Sequence, residues 1–476
     1  MRTFDELFIG GRFAASSGEA VIDVVSPHDG SPVGRSPHAT PADVDRAVAQ
    51  ARRAFDEGPW PRLTPLERSA ALHRLADLYL GRLEEMAQLV TAEMGCPIGF
   101  SRMAQAGAAW MLLDASRRLA ESYRFEEERS GLMDTRTLVI REPVGVVAAI
   151  APWNVPQITI MSKLAPALVA GCAVIVKPSP ETPLDALLLA RWLEEAGLPE
   201  GVVSVLPAGR ETGEHLVRHP GVDKVAFTGS TAAGRRIAGL CGERLARVSL
   251  ELGGKSAAVV LDDADVEATV RGLRFASFMN SGQACAAQTR VLAPRARYDE
   301  VVEALAAMAA ELRVGDPGCD DTEVGPMVSP RQQERVEGYI ALGRSEGARL
   351  AVGGTPPERD DGCYVTPTVF ADVDNGMRIA REEIFGPVLV VIGYDDDAEA
   401  VRLANDSDYG LAGSVWTGDH ERGVSVARRI RTGTIGVNKY APDFGSPFGG
   451  FKASGIGREY GREGLEEFLE VKSLAL

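Results

Sequence analysis

From Gly145 onward the chain alternates short apolar runs with longer stretches whose apolar residues recur at helical spacing. The runs GVVAAIAP, CAVIVKP, VVSVLP, VDKVAFTG and RVSLELGG each end in turn residues and predict strands. Between them, ITIMSKLAPALVAG, PLDALLLARWLEEAG and ETGEHLVRHP predict helices. Strands that are apolar at nearly every position are covered on both faces, so the pattern predicts a parallel sheet in an α/β fold. Ligands of such sheets sit beyond the carboxyl ends of the strands. A second alternating block starts at Ser256 with SAAVVL, a helix over Asp265 to Asn280 and the strand TRVLA. It continues with PVLVVIGY, LAGSVW and GTIGVN, while Pro41 to Arg124 reads as helices. TRTLVIREPVG and the tail LEVKSLAL read as isolated strands with no sheet neighbour, and such edges invite pairing with another subunit.

Composition narrows this picture. A chain of 476 residues is too long for one small core, so two or three domains are expected. A formal net charge of -16 excludes a general nucleic-acid binder, which needs cations to neutralise phosphates. The six cysteines include no Cys-x-x-Cys pair, so neither a metal site nor a disulfide framework is expected. The most membrane-like stretch, Pro143 to Ser162, carries three prolines and an asparagine and stops at Lys163, as a buried strand and loop would. The start, MRTFDELFIGGRF, lacks the apolar core of a signal peptide. These features predict an acidic, reduced, cytoplasmic protein without a membrane segment.

Four stretches carry candidate chemistry. The strand VDKVAF runs into TGSTAAGRRIAG, a turn and helix start whose N–H groups can cradle a phosphate around Gly229 and Gly234; a plain helix start has the same form. ELGGK places Glu251 at a strand end, shielded enough to act as a base, or else as a surface partner of Lys255. PWNVP holds Asn154 between prolines, where its amide can donate to an oxyanion or simply form a turn. In FMNSGQACAAQTR, Cys285 stands among small residues, either an inert core filler or a nucleophile left open to substrate. The other five cysteines sit in ordinary packing or surface contexts.

These residues resemble the aldehyde dehydrogenase superfamily. PWN, KPS, FTGS, ELGGK, GQACAA, EEIFGP and PFGGFKASGIGRE occur in that family's order, from Pro152 to Glu459. The resemblance implies a Rossmann-like cofactor domain (1–125 and 146–254), an α/β catalytic domain (255–445) and a small β extension (126–145 and 446–476) that joins subunits into a homodimer or homotetramer. It implies Cys285 as nucleophile, Glu251 as general base and Asn154 as oxyanion donor, beside the Cys285 N–H. For the cofactor it implies Lys177 on the adenosine ribose, Gly229 and Ser230 near the pyrophosphate, and Trp153 in the cleft. Glu383 would bind the nicotinamide ribose and Phe385 would pack on the nicotinamide. The implied reaction oxidises an aldehyde to a carboxylic acid through a thiohemiacetal and a thioester, with NAD as hydride acceptor. A CoA-acylating relative is the alternative, although such members commonly lack the glutamate that Glu251 matches; a non-catalytic member of the fold would lack Cys285 or Glu251.

The chain also departs from the family pattern. Many NAD-preferring members place a glutamate three residues past the lysine of KPS; here Pro180 stands there and Glu181 follows, which leaves NADP use open. Val155 replaces a common aromatic, and Thr159 and Ser162 stand where bulkier residues are frequent. With Ala284 and Ala286 beside the thiol, these predict a roomier substrate pocket, partly refilled by Asp443 and Phe444. Arg290 invites a reading as carboxylate anchor for a semialdehyde, whereas the family's arginine there is structural.

Overall fold

The computed structural model describes residues 2–133, 135–356 and 361–476. An eight-stranded sheet runs in the spatial order Gly455–Ile456, Arg247–Glu251, Lys224–Thr228, Val146–Ile150, Ala173–Lys177, Val203–Val205, Leu7–Ile9 and Arg12–Ala14. Its five central strands are parallel, as their unbroken apolar runs predict. The helix Pro156–Ala170 covers one face and buries every residue except Ile158. Pro166 lies inside it, and Gly171 ends it in the left-handed conformation at φ 103°.

A second sheet of seven strands orders as Arg349–Val352, Thr368–Ala371, Val388–Tyr394, Arg290–Pro294, Ala257–Val260, Gly413–Trp416 and Gly436–Val437. All its pairings are parallel except that of Arg349–Val352 with Thr368–Ala371. Five residues, Leu252 to Ser256, carry the chain from the end of one sheet into the start of the other. The carboxyl ends of the first sheet therefore face the amino ends of the second.

The two strands expected to lack a neighbour have one in the same chain. Leu469–Ala475 runs antiparallel to Arg136–Pro143, from Leu469 opposite Pro143 to Ala475 opposite Thr137, and Glu126–Ser130 completes a three-stranded arm. No pairing shows in the sequence because more than 300 residues separate the partners. The strands before Pro41 leave no pattern there either. Arg2–Thr3, Val21–Val25 and Pro32–Pro37 form a small sheet, and the hairpin Leu7–Ile9 with Arg12–Ala14 extends the first large one. They are two to six residues long, too short to show a period. Among the described residues no helix is long and apolar enough to cross a membrane, and no group of three or more His, Cys, Asp or Glu could hold a metal.

Candidate active site

Register across the first sheet spaces the site. Thr228 lies opposite Glu251, Phe227 opposite Ile150, and Ile150 opposite Lys177, so four adjacent strands end level. Asn154, Lys177, Gly229 and Glu251 thus emerge along one line, with three strand spacings, roughly 14 Å, between the Glu251 and Lys177 strands. The second sheet adds Cys285 five residues before the strand Arg290–Pro294 and Glu383 five residues before Val388–Tyr394. Only the first sheet obeys the carboxyl-end rule; Cys285 arrives at an amino end of the second.

A cleft of about 610 Å³ lies at this meeting and is lined by Trp153, Asn154, Val155, Gly229, Cys285, Glu383 and Phe385, among others. A second cavity of about 430 Å³ holds Lys177 and shares Ser230 and Arg331 with the first. Two adjoining cavities joined at a helix start fit an extended dinucleotide, whose anionic centre would meet the N–H groups of Thr231–Glu243. Ser230 caps that helix by accepting from Ala233 N at 3.3 Å. Gly229 lies against the Phe227 ring, where a Cβ would come within 2.5 Å. Lys177 is 9% exposed, and burial pushes its ammonium down to about 8, against the pull of Glu181.

Glu383 is turned onto the crossing segment, its Oε1 accepting from Gly254 N at 3.0 Å, and burial raises its carboxyl to about 6. Phe385 packs edge-on against Trp153 at 5.4 Å between ring centres. The helix Pro330–Ser345 grips this segment by its carbonyls. Arg335 donates to Glu383 O at 2.5 Å and to Ile384 O at 3.3 Å, and Gln332 donates to Phe385 O at 2.8 Å. These two residues, with Arg331, carried no signal in the sequence.

Cys285 is half-buried and opens to the cleft, unlike Cys96, Cys172, Cys241 and Cys363, which are buried; Cys319 is exposed. Burial, then the carboxyls of Glu383 and Glu251, pushes its thiol up to about 12, while the Ala286 N–H opposes the rise. Asn154 is buried; its side-chain Nδ2 donates to Gln283 O at 2.9 Å, which leaves its second N–H free to face the cleft.

Glu251 stands behind the cleft rather than on its wall. Neither carboxyl oxygen has a hydrogen-bond partner, and both are buried. Its proton affinity is raised well above that of an ordinary carboxyl by burial and then by Glu459; Lys163 and Arg458 oppose this. The space it occupies exists because residue 449 is glycine, where a Cβ would stand 2.6 Å from Glu251 Oε1. Glu459 is itself neutralised by Lys163, whose buried Nζ donates to Glu459 Oε1 at 2.7 Å and to Thr228 Oγ1 at 2.6 Å. Lys163 served in the sequence only to end an apolar run; its partner lies 296 residues away.

The remaining expectations divide. Val155 lines the cleft, whereas Thr159 and Ser162 are buried and spend their hydroxyls on carbonyls of their own helix. Phe444 packs against Tyr460 at 5.5 Å, and Tyr460 against Phe448 at 5.2 Å. Arg290 is fully buried and donates to Lys255 O, Asn375 Oδ1, Leu403 O and Ala404 O at 2.9 to 3.0 Å, so it is a structural clamp and not a carboxylate anchor.

The model of the aldehyde dehydrogenase family matches residues 13–474. The chain belongs to the aldehyde dehydrogenase family. It is thus an oxidoreductase that converts an aldehyde to a carboxylic acid with a nicotinamide cofactor. It is 49% identical over 470 residues to a geranial dehydrogenase of Castellaniella defragrans, covering 99% of this chain and 98% of the relative. Its structure superposes with a TM-score of 0.98 on an aldehyde dehydrogenase of Mycobacterium tuberculosis complexed with NAD+, at 49% identity over 100% of this chain and 98% of that one. Aldehyde dehydrogenase C of Pseudomonas syringae, in a complex with NAD+ and octanal, gives 0.96 at 42% identity over 99% and 96%.

The raised thiol predicts how the cofactor-free dehydrogenase meets an alkylating agent. Between pH 7 and 9 the rate of Cys285 carbamidomethylation should climb about tenfold per pH unit, because the thiolate fraction does. Peptide mass mapping of iodoacetamide-treated samples reads this rate; a plateau below pH 8 would show an already activated thiolate.

Proposed function

We propose that Cys285 is the nucleophile, Asn154 the oxyanion donor and Glu251 the base of a hydrolytic aldehyde dehydrogenase using NAD. The observation that carries this reading is the level ending of the Glu251, Gly229, Asn154 and Lys177 strands against the loop that bears Cys285. The Cys285 sulfur bonds to the aldehyde carbon while the thiol proton leaves to solvent or base. The free N–H of Asn154 holds the oxygen as charge builds on it. Bound NAD supplies the acceptor for the hydride that leaves this carbon, and a thioester on Cys285 results. Glu251 then takes a proton from water; hydroxide adds to the thioester carbon and the Cys285 thiolate departs, releasing the carboxylate. A buried carboxyl of raised proton affinity suits that step. Lys163 and Glu459 are positioning residues for Glu251, since their ion pair sets the field in which it titrates.

For the cofactor, Lys177 would meet the adenosine ribose, Gly229 and Ser230 the pyrophosphate, and Glu383 with Phe385 and Trp153 the nicotinamide end. Glu181 accepts from the Ser179 hydroxyl at the cleft wall, close enough to Lys177 to favour its charge. A carboxylate there repels a 2′-phosphate and substitutes for the glutamate missing at Pro180, which supports NAD over NADP. For the aldehyde we propose an apolar chain or ring of about octanal size or larger. The aromatic group Phe444, Phe448 and Tyr460 supports it, as does the full engagement of Arg290, whose guanidinium is not free for a substrate carboxylate. The arm supports a homodimer: Val471 and Leu474 are 65% and 47% exposed on its edge strand, and Leu476 just past it is 60% exposed. Six cysteines free of disulfides support a reducing, cytoplasmic setting.

Cys285→Ser should lose dehydrogenase activity by at least about a thousandfold while NAD still binds, since an unactivated hydroxyl is a poor nucleophile. Glu251→Gln should keep a burst of NADH and lose the steady state; stopped-flow absorbance separates the two, and an unchanged steady state would remove Glu251 from the base role. An aldehyde panel run with NAD and NADP should give kcat/KM at least about tenfold higher with NAD, and higher for octanal or geranial than for acetaldehyde; preference for acetaldehyde would refute the apolar pocket. Light scattering should give at least twice the chain mass, falling to one chain in Val471→Glu/Leu474→Glu; an unchanged mass would place the interface elsewhere.

A further inference from the structure

Five residues ahead of the thiol the backbone turns left-handed twice without a glycine. Asn280 and Ser281 hold φ of 52° and 58°, and Gly282 continues at 74°. That region disfavours residues with side chains, and asparagine is among those that tolerate it best. Strain of this kind persists only where surrounding contacts fix it. Here they do: Ser281 Oγ accepts from Gly325 N at 2.8 Å, and Val328 N donates to Gln283 Oε1 at 3.0 Å. Gly282 lies so close to Gly386 that a Cβ would stand 2.2 Å from its carbonyl oxygen.

The bend aims one amide. Asn280, 1% exposed, donates through Nδ2 to the carbonyl of Asn154 at 2.8 Å and to that of Gln283 at 3.1 Å. Gln105, in an irregular turn of its helix, donates to the same Asn154 carbonyl at 2.9 Å. Asn154 in turn donates its side-chain amide to Gln283 O. Two amides therefore grip the backbone of Asn154 while a third contact fixes its side chain. Asn154 lies in a bend outside helix and strand. The side-chain oxygens of both Asn280 and Gln105 are buried without a partner, so each amide is used for its N–H alone.

We infer that Asn280, assisted by Gln105, is a positioning residue that holds Asn154 in the geometry of an oxyanion donor. The left-handed bend is retained to place that amide. This rests on the role proposed above for Asn154. Removing the grip should slow addition to the aldehyde, and with it formation of the thioester, and should leave cofactor binding alone.

Asn280→Gly tests it, because glycine accepts the left-handed backbone and lacks only the amide. Its kcat should fall about ten- to a hundredfold. Its NADH burst should vanish, and an aldehyde deuterated at C1 should reveal a primary isotope effect, with the NAD dissociation constant unchanged. Gln105→Leu, which leaves the bend untouched, should show the same pattern more weakly. A wild-type burst in both variants beside a silent Asn154→Ala enzyme would overturn the inference and leave Asn154 in its role. A wild-type burst in Asn154→Ala would overturn that role itself.

Discussion

Leu252 to Ser256 join the two sheets, and Glu383, Cys285, Arg290 and Ser454 are all held against those five residues. Leu252 N donates to Ser454 O at 2.8 Å, and Ser454 Oγ returns a bond to Gly253 O at 2.7 Å. Gly254 N holds Glu383, and the Gly254 backbone lies so close to Cys285 that a Cβ would come 2.4 Å from its carbonyl oxygen. Lys255 O and Ser256 O accept from the side chain and backbone of Arg290. A shift of this crossing would move Glu251, Cys285 and Glu383 together. The glycines at 253 and 254 are thus a packing requirement: a side chain on either would strike Glu383 or the Cys285 backbone.

The site is built on charges that burial makes costly. Glu251 has no hydrogen-bond partner, Lys255 Nζ has none either, and burial drives the lysine down to about 7. An isolated ion in such surroundings shifts its proton equilibrium rather than staying charged. That is a liability for stability and an asset for a base that must take a proton and then lose it. Lys163 limits the liability by opposing the rise, while its ion-pair partner Glu459 adds to it. A thiol and a carboxyl on the cleft wall, and a second carboxyl behind it, therefore have proton affinities set by their neighbours.

Much of the fold was legible in the chain because buried parallel strands leave unbroken apolar runs, as at Val146–Ile150 and Ala173–Lys177. The arm was not, since its strands Arg136–Pro143 and Leu469–Ala475 find each other only in three dimensions. Cys285, Glu251 and Asn154 stood out as residue types in telling contexts, and the family resemblance assigned them roles. What surrounds them did not stand out. Lys163 looked like the polar end of an apolar run, and Asn280 like the last residue of a helix. Thr159 and Ser162 suggested extra room by their size, yet both turn inward to helix carbonyls. Side-chain size along a helix predicts volume only when the face it points to is known.

The covalent intermediate is the most direct place to look. The Glu251→Gln enzyme, mixed with NAD and octanal and quenched in acid after one turnover, should gain the mass of one octanoyl group. Digestion should map that group to the peptide holding Cys285. An enzyme that produces NADH in this burst with no acyl mass on Cys285, or with the acyl group on another side chain, would contradict the chemistry assigned to the cleft.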